Sequence, residues 1–451
     1  MDYQQINATL SDILAKFDLN QPPGGGSLTI FHQGKLVTDL AFGVTHQITQ
    51  PKWTSHTLSL NYSTGKGVLV MLIHILVNKG LLDYDTPISQ YWQAFASQGK
   101  QNITLRHVLS HEAGLIDINS VTKITDDVQD WQAMLHKVAH MPVYAKKLAS
   151  QNEKFVAYSA LVSGWVLGGL IEIITHMPLQ QALDTFLTEP LGIKDQVFFA
   201  LPADKNNQIA IPKRVALQQQ NLNSIEKLTR TKPTLAADDD ATLDFLASLD
   251  CYPCWQKIYQ QKNSTNADNR STDNPNTNNH SKKRLNSQEI NQLYFNIRGI
   301  DMADYKASLV PKDSRHFDYY QPHILQSKVP AANVIASGYA MAKIYNTLLH
   351  SQKTDTGLIS PPIFAQLTSI QNQQVDKVMP AQMNWRLGYH RIFSVCHDTA
   401  DGFGHTGYNG SMAWCDPARG LAVAFVHNYD VTMLTDVRQF IINETVLNLF
   451  H

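Results

Sequence analysis

A serine three residues ahead of a lysine, at the head of a long apolar run, is the first pattern in this 451-residue sequence that could do chemistry. The segment 58–66 ends in Ser63-Thr64-Gly65-Lys66, and Gly67 to Val77 follows almost without a polar side chain. Such a run reads as a helix buried through the middle of a domain. It falls well short of the roughly 20 residues that span a bilayer. The spacing puts Ser63 at the helix N-terminus, beside unpaired backbone N–H groups and the positive end of the dipole. Lys66 then lies one turn later on the same face. A lysine in an apolar setting has a depressed pKa and can accept the serine proton. Ser97/Lys100, Ser120/Lys123 and Ser224/Lys227 repeat the spacing, but only the Ser63 copy opens a long apolar run. The plainer reading of that copy is a serine N-cap followed by a surface lysine.

Elements on both sides must position this pair. Leu10, Ile13, Leu14 and Phe17 give the N-terminus an amphipathic helix, and Pro22-Pro23-Gly24-Gly25-Gly26 breaks the chain after it. Residues 27–32 and 36–44 read as strands joined at Gln33-Gly34-Lys35, a hairpin-length turn with its glycine. Gly80 closes the Ser63 helix. From Ile88 to about Leu325 the chain reads mainly helical, and Tyr158-Ser159-Ala160 precedes a second apolar helix at 161–174. Its Gly164, Gly168 and Gly169 permit close packing. Residues 262–283 are poor in apolar side chains and rich in Asn, Ser, Thr and Asp, and read as a disordered insertion. Beyond Pro330 a helix runs to Leu349. Strand-like segments follow at 385–395, 411–415 and 421–426, and an amphipathic helix closes the chain at 436–449. Strands at both ends around a helical middle predict an α+β fold. Residues 1–95 and 330–451 form one sheet domain, and 96–329 form an inserted, mainly helical domain.

Composition narrows the function classes. The chain is 43% hydrophobic with a net charge of −1 and no basic stripe, so nucleic acid and anionic membranes are poor partners. Four cysteines do not make a disulfide framework. Cys251-Tyr252-Pro253-Cys254 reads as reduced thiols near a loop, and Cys396 and Cys415 as strand residues flanking His405. His107/His111 and His136/His140 have i, i+4 spacing but lie in no His-Glu-x-x-His and lack an obvious third ligand, so no metal is expected. The first residues have neither a basic nor an apolar leader pattern, and a cytoplasmic location is expected. No Gly-x-Ser-x-Gly elbow appears, which argues against an α/β-hydrolase.

Ser63-Thr64-Gly65-Lys66, Tyr158-Ser159-Ala160 and His405-Thr406-Gly407, in this order, resemble the motifs of the serine β-lactamase-like superfamily. Within it the chain is similar to the class C β-lactamase-related carboxylesterases, the family VIII esterases. The resemblance covers most of the chain, including residues 103–115, 190–193 and 403–411. It implies a β-lactamase/transpeptidase-like fold, a mostly antiparallel sheet flanked by helices, with the active site between the sheet and helical regions. It also implies Ser63 as nucleophile, Lys66 and Tyr158 as its activators, and the backbone N–H groups of Ser63 and Tyr408 as oxyanion hole. His405, Gly407 and Ala160 would contact substrate. Tyr158 alone is an ordinary packed aromatic; its phenol becomes a base only when a cation such as Lys66 stabilises the phenolate.

Two positions depart from the β-lactamase and transpeptidase pattern. Ala160 stands where those enzymes have Asn, and a methyl cannot hydrogen-bond a substrate amide. His405 stands where they have Lys, and a mostly neutral histidine holds a carboxylate less well. Both lean toward short-chain carboxylic esters, cleaved through an acyl-Ser63 intermediate without metal or organic cofactor. A β-lactamase or D-amino-acid peptidase is the alternative of the same class, and a non-catalytic scaffold the alternative of another. The acyl preference and the oligomeric state stay open.

Overall fold

Both ends of the chain contribute to one antiparallel sheet. The computed structural model describes residues 1–18, 24–46, 48–122, 128–149, 155–212, 238–267, 284–312, 318–352 and 357–451. Its strands are β1 (Gly25–His32), β2 (Lys35–Gly43), β3 (Ser59–Leu60), β4 (Val197–Phe198), β5 (Ile335–Ala336), β6 (His390–Arg391), β7 (Phe403–Thr406), β8 (Met412–Asp416) and β9 (Leu421–His427). Six form a sheet in the order β2-β1-β9-β8-β7-β6, and β3-β5-β4 form a second, smaller one. The helices that matter most here are α1 (Tyr3–Ala15), α2 (Lys66–Asn78), α3 (Val162–Thr175), α4 (Tyr252–Ala267), α5 (Ser287–Tyr294), α6 (Met302–Leu309), α7 (Gly338–Ser351) and α8 (Arg438–Leu449).

Side-chain alternation explains how the large sheet is covered on both faces. On β9, Ala422 and Ala424 join the apolar cluster of α2 and α7, while Leu421, Val423 and Phe425 join that of α1 and α8. The alanines leave room for the backbone of α7 to approach. α2 is buried at every residue from Lys66 to Leu76, as its all-round apolar sequence requires. α3 packs through its small residues: a Cβ at Gly164 would lie 2.5 Å from the backbone nitrogen of Ala331. Among the described residues no single helix is long and apolar enough to cross a membrane. The bent pair Val162–Thr175 and Leu179–Leu191 reaches that length and composition only jointly, across a 77° break.

The structure corrects several expectations. Segment 385–395 pairs only at the two residues of β6, because Asn384 and Gly388 take positive φ (49° and 85°) and a turn closes from Arg386 N–H to the Tyr389 carbonyl at 2.8 Å. Helix α4 continues through Ala267, so residues 262–267 are helical rather than a disordered insertion. Lys262 Nζ ties this end down by donating to the carbonyls of Gln292 (3.3 Å) and Leu293 (2.8 Å). Residues 268–283, Pro22-Pro23 and the lead-in 151–154 lie outside the described residues. Cys254 is not a reduced thiol: it forms a disulfide with Cys396, which stands in no strand. The two are separated by 142 positions, so the local Cys-x-x-Cys spacing carried no trace of the pairing. Cys251 and Cys415 are free and buried.

Candidate active site

The small sheet sets up Ser63. Asn61, directly after β3, donates its backbone N–H to Val334 (2.9 Å) and its side-chain amide to the carbonyls of Ser59 (2.8 Å) and Ala336 (3.0 Å). Tyr62 then takes φ 47°, a left-handed conformation that is an outlier for a bulky residue and costs about 1–3 kcal/mol. Ser63 follows inside a short 3₁₀ turn, Tyr62–Gly65, and α2 begins only at Lys66, one turn later than the sequence pattern suggests. Gly407 is placed against this turn. A Cβ there would lie 2.6 Å from the Asn61 carbonyl oxygen and 2.8 Å from Thr64 Oγ1, so its backbone position is what brings the end of β7 onto the serine turn.

Lys66 Nζ lies 2.9 Å from Ser63 Oγ and 2.7 Å from each of the carbonyl oxygens of Ala160 and Ala331. Burial pulls its pKa well below that of an ordinary lysine. A neutral amine has two N–H groups and one lone pair. Carbonyl oxygens only accept, so they take the two N–H groups. Of the three oxygens around Nζ, the Ser63 hydroxyl is the one that carries a proton to give up. Ala160 thus contributes its carbonyl as well as its methyl. The role of Ala331 had no signal in sequence, because it is played by a backbone atom.

Tyr158 lines the Ser63 cavity, and Lys66 Nζ lies 5.0 Å from the centre of its ring. Its ring stacks on Trp385 (5.4 Å, 17°) and meets the edge of His111 at 5.0 Å. Burial raises the phenol pKa well above its ordinary value, the Ser63 hydroxyl opposes the rise, and the Asp376 carboxylate adds to it. Burial draws Lys66 toward its neutral form, and the charge that acts on Tyr158 is the negative one of Asp376. Asp376 is a site residue that sequence reading missed. Its Oδ1 accepts the backbone N–H groups of Tyr158 (3.2 Å), Val378 (2.8 Å) and Met379 (2.9 Å), and its Oδ2 accepts the Trp385 indole N–H (2.8 Å).

His405 is buried and donates Nε2–H to the Gly388 carbonyl at 3.0 Å, which leaves Nδ1 without its proton in the neutral ring. Burial, then His390, Lys66 and His111, hold its pKa well below 6.5. The same cause pulls His390 down to about 4. His390 donates Nδ1–H to the Arg391 carbonyl and accepts the Thr406 N–H on Nε2. Where the family pattern carries a lysine, this site presents no charge. His107 and His111 serve different neighbours: His107 Nδ1 accepts the Thr104 N–H in a helix cap, and His111 Nδ1 accepts the Ser159 N–H.

Ser63 opens onto two cavities. One, of about 500 Å³, has Tyr158, Trp385, Met379, Met383, Met433 and His405 among its walls. The other, of about 860 Å³, runs past Ala160, Leu161, Pro311 and Tyr319. Tyr408, Tyr305 and Leu309 border both.

A model of the beta-lactamase family matches residues 18–444. The chain belongs to the beta-lactamase family. The esterase/beta-lactamase LipL of Mycobacterium tuberculosis is 26% identical over 409 residues, covering 90% of this chain and 77% of that protein. Among solved structures, a penicillin-binding protein homologue from Caulobacter crescentus superposes with a TM-score of 0.67 at 22% identity, over 98% of this chain and 96% of its own. A family VIII carboxylesterase does so with a TM-score of 0.67 at 20% identity and the same coverage. At those identities the likeness is one of fold. This beta-lactamase-family chain also carries an instructive contrast at Ser97/Lys100. There the lysine grips the Ser97 carbonyl (2.9 Å) rather than its hydroxyl, which donates to Ala139 (2.8 Å).

Proposed function

We propose that this member of the beta-lactamase family hydrolyses short-chain carboxylic esters through an acyl-Ser63 intermediate. The observation that carries the reading is the position of Lys66 Nζ, 2.9 Å from Ser63 Oγ. Lys66 takes the hydroxyl proton as Ser63 attacks the ester carbonyl, becoming an ammonium with a third N–H. The backbone N–H groups of Ser63 and Tyr408 hold the oxyanion. Tyr158, which keeps its proton in the resting site, gives it to the departing alkoxide and regains one from Lys66. Water then attacks the acyl-serine, with the same two groups moving its proton. All of these steps use groups of the chain.

Ester rather than β-lactam or peptide chemistry is favoured by the uncharged His405 and the methyl of Ala160, neither of which offers a carboxylate or an amide a strong partner. The relative from Mycobacterium tuberculosis is named for both activities, so the test measures both. Wild type and Ser63→Ala are assayed with p-nitrophenyl acetate, butyrate and octanoate beside a chromogenic cephalosporin. Turnover of the short esters that vanishes in Ser63→Ala supports the proposal. Cephalosporin turnover exceeding ester turnover, or turnover persisting in the variant, overturns it.

A further inference from the structure

Tyr158 stands in neither helix nor strand, since residues 155–159 run irregularly toward α3. No ladder of backbone bonds therefore sets the position of its phenol, and the buried polar groups along the segment must be tied down one at a time. Asp376 accepts the Tyr158 N–H at 3.2 Å, and the Ser308 hydroxyl of α6 donates to the Tyr158 carbonyl at 2.5 Å. The residues on either side are both held by His111. Its carbonyl accepts the Ala157 N–H at 3.0 Å, and its Nδ1 accepts the Ser159 N–H at 3.2 Å. One residue thus brackets the tyrosine, through its backbone on one side and its side chain on the other.

The ring completes the bracket. The imidazole meets the Tyr158 ring edge-on at 5.0 Å and the Trp385 ring at 4.1 Å, so three rings pack against one another. Nδ1 can accept only while it carries no proton. Burial, then Lys66 and His390, hold the His111 pKa well below 6.5 and keep the ring neutral. The backbone of His111 takes φ 59°, a left-handed conformation that few side chains tolerate. Such strain persists where the surroundings fix it, and it clusters at functional sites.

We propose that His111 is a positioning residue for Tyr158: by holding the N–H groups on both sides of the tyrosine, it keeps the phenol within reach of the departing alkoxide. The proposal rests on the ester reading. A displacement of about 1 Å at a proton donor can cost about 10²-fold in rate.

Two amide variants of the full chain test it. The oxygen of His111→Asn lies as far from the backbone as Nδ1 does, and asparagine tolerates the left-handed conformation. The oxygen of His111→Gln lies farther out, while the chain already carries glutamines at positive φ (Gln33, Gln50 and Gln98). His111→Gln should lower kcat on ethyl butyrate about tenfold or more, and on p-nitrophenyl butyrate less than about threefold, because p-nitrophenolate leaves without a proton. His111→Asn should retain most of the wild-type kcat on both. In a Tyr158→Phe background, with no phenol proton left to position, His111→Gln should cause no further loss. Equal losses on the two esters, a loss in His111→Asn as large as in His111→Gln, or the full loss repeated in the Tyr158→Phe background overturns the proposal. Should His111→Gln not fold, His111→Gly takes its place, since it suits φ 59° and also lacks the acceptor. Wild type that turns over neither ester contradicts the ester reading alone, and hydrogen exchange of the Ser159 N–H then decides. That exchange is expected to be about tenfold faster in His111→Gln than in wild type or His111→Asn; an unchanged rate overturns the proposal.

Discussion

The carboxylate of Asp376 accepts the backbone N–H of Tyr158 at 3.2 Å, so a buried negative group acts on the phenol that lines the Ser63 cavity. A phenol in that position holds its proton. In the proposed mechanism Lys66 is the base and Tyr158 the acid.

That division has a kinetic signature. Tyr158→Phe is expected to lower kcat by about 10²–10⁴-fold on alkyl esters, whose alkoxides need a proton to leave. The loss should be much smaller on p-nitrophenyl esters, whose leaving group departs as a stable anion. Equal losses on the two series would return Tyr158 to the role of base.

Lys66→Met should abolish ester turnover without loss of stability. The folded pKa of Lys66 is depressed, so between that value and the unfolded value of about 10.4 the unfolded chain binds the extra proton. Stability therefore falls as pH drops through that window, and the variant lacks the slope. Urea midpoints of both proteins against pH measure it. Wild-type activity should rise along an acid limb as Lys66 loses its proton.

Acid should destabilise the fold through its buried histidines. His74 is pulled down to about 3 and His390 to about 4 by burial, and His111, His405 and His427 are lowered for the same reason. The folded state keeps these rings neutral. Their contribution is complete above the unfolded pKa of about 6.5 and is lost as pH falls toward the folded values, at about 1.4 kcal/mol per pH unit for each ring. Chemical unfolding compared between about pH 7 and about pH 5 should show uptake of several protons. A flat profile would contradict the neutral assignment.

The Cys254–Cys396 bond predicts two titratable thiols in the denatured, unreduced protein and four after reduction. The bond closes a loop of 142 positions. Cys254→Ser should therefore cost up to about 5 kcal/mol on the chain-entropy scale. Four thiols in the unreduced protein would rule the bond out.

What could be read in advance depended on whether a role belongs to a side chain in a local pattern. Ser63 and Lys66 share one helical turn, and the 27–44 hairpin announces itself through Gly34 and alternation, so both were legible. The grip on Lys66 was not, because Ala160 and Ala331 act through carbonyls that every residue possesses. Asp376 was equally silent: its own turn supplies the Val378 and Met379 N–H groups, but the donor that ties it to the site, the Tyr158 N–H, lies 218 positions away. The strand expected at 385–395 failed because apolar content alone does not reveal the positive φ of Asn384 and Gly388. Gly407, expected at the substrate, has no room for a Cβ beside the Asn61 carbonyl and the Thr64 hydroxyl, a constraint that no local pattern reveals.

The neighbour of β1 in the large sheet is β9, with Gly26 opposite His427. A ribosome adding about 5–20 residues per second therefore makes the first hairpin tens of seconds before the strand that completes its pairing. Through that interval one edge of β1 offers unsatisfied N–H and C=O groups to any other nascent chain. A product cut short by a tenth of its length, ending near residue 406, would contain Ser63 and Lys66 yet lack Tyr408, β8 and β9. For this fold, the yield of active enzyme is set by what protects an early hairpin while it waits.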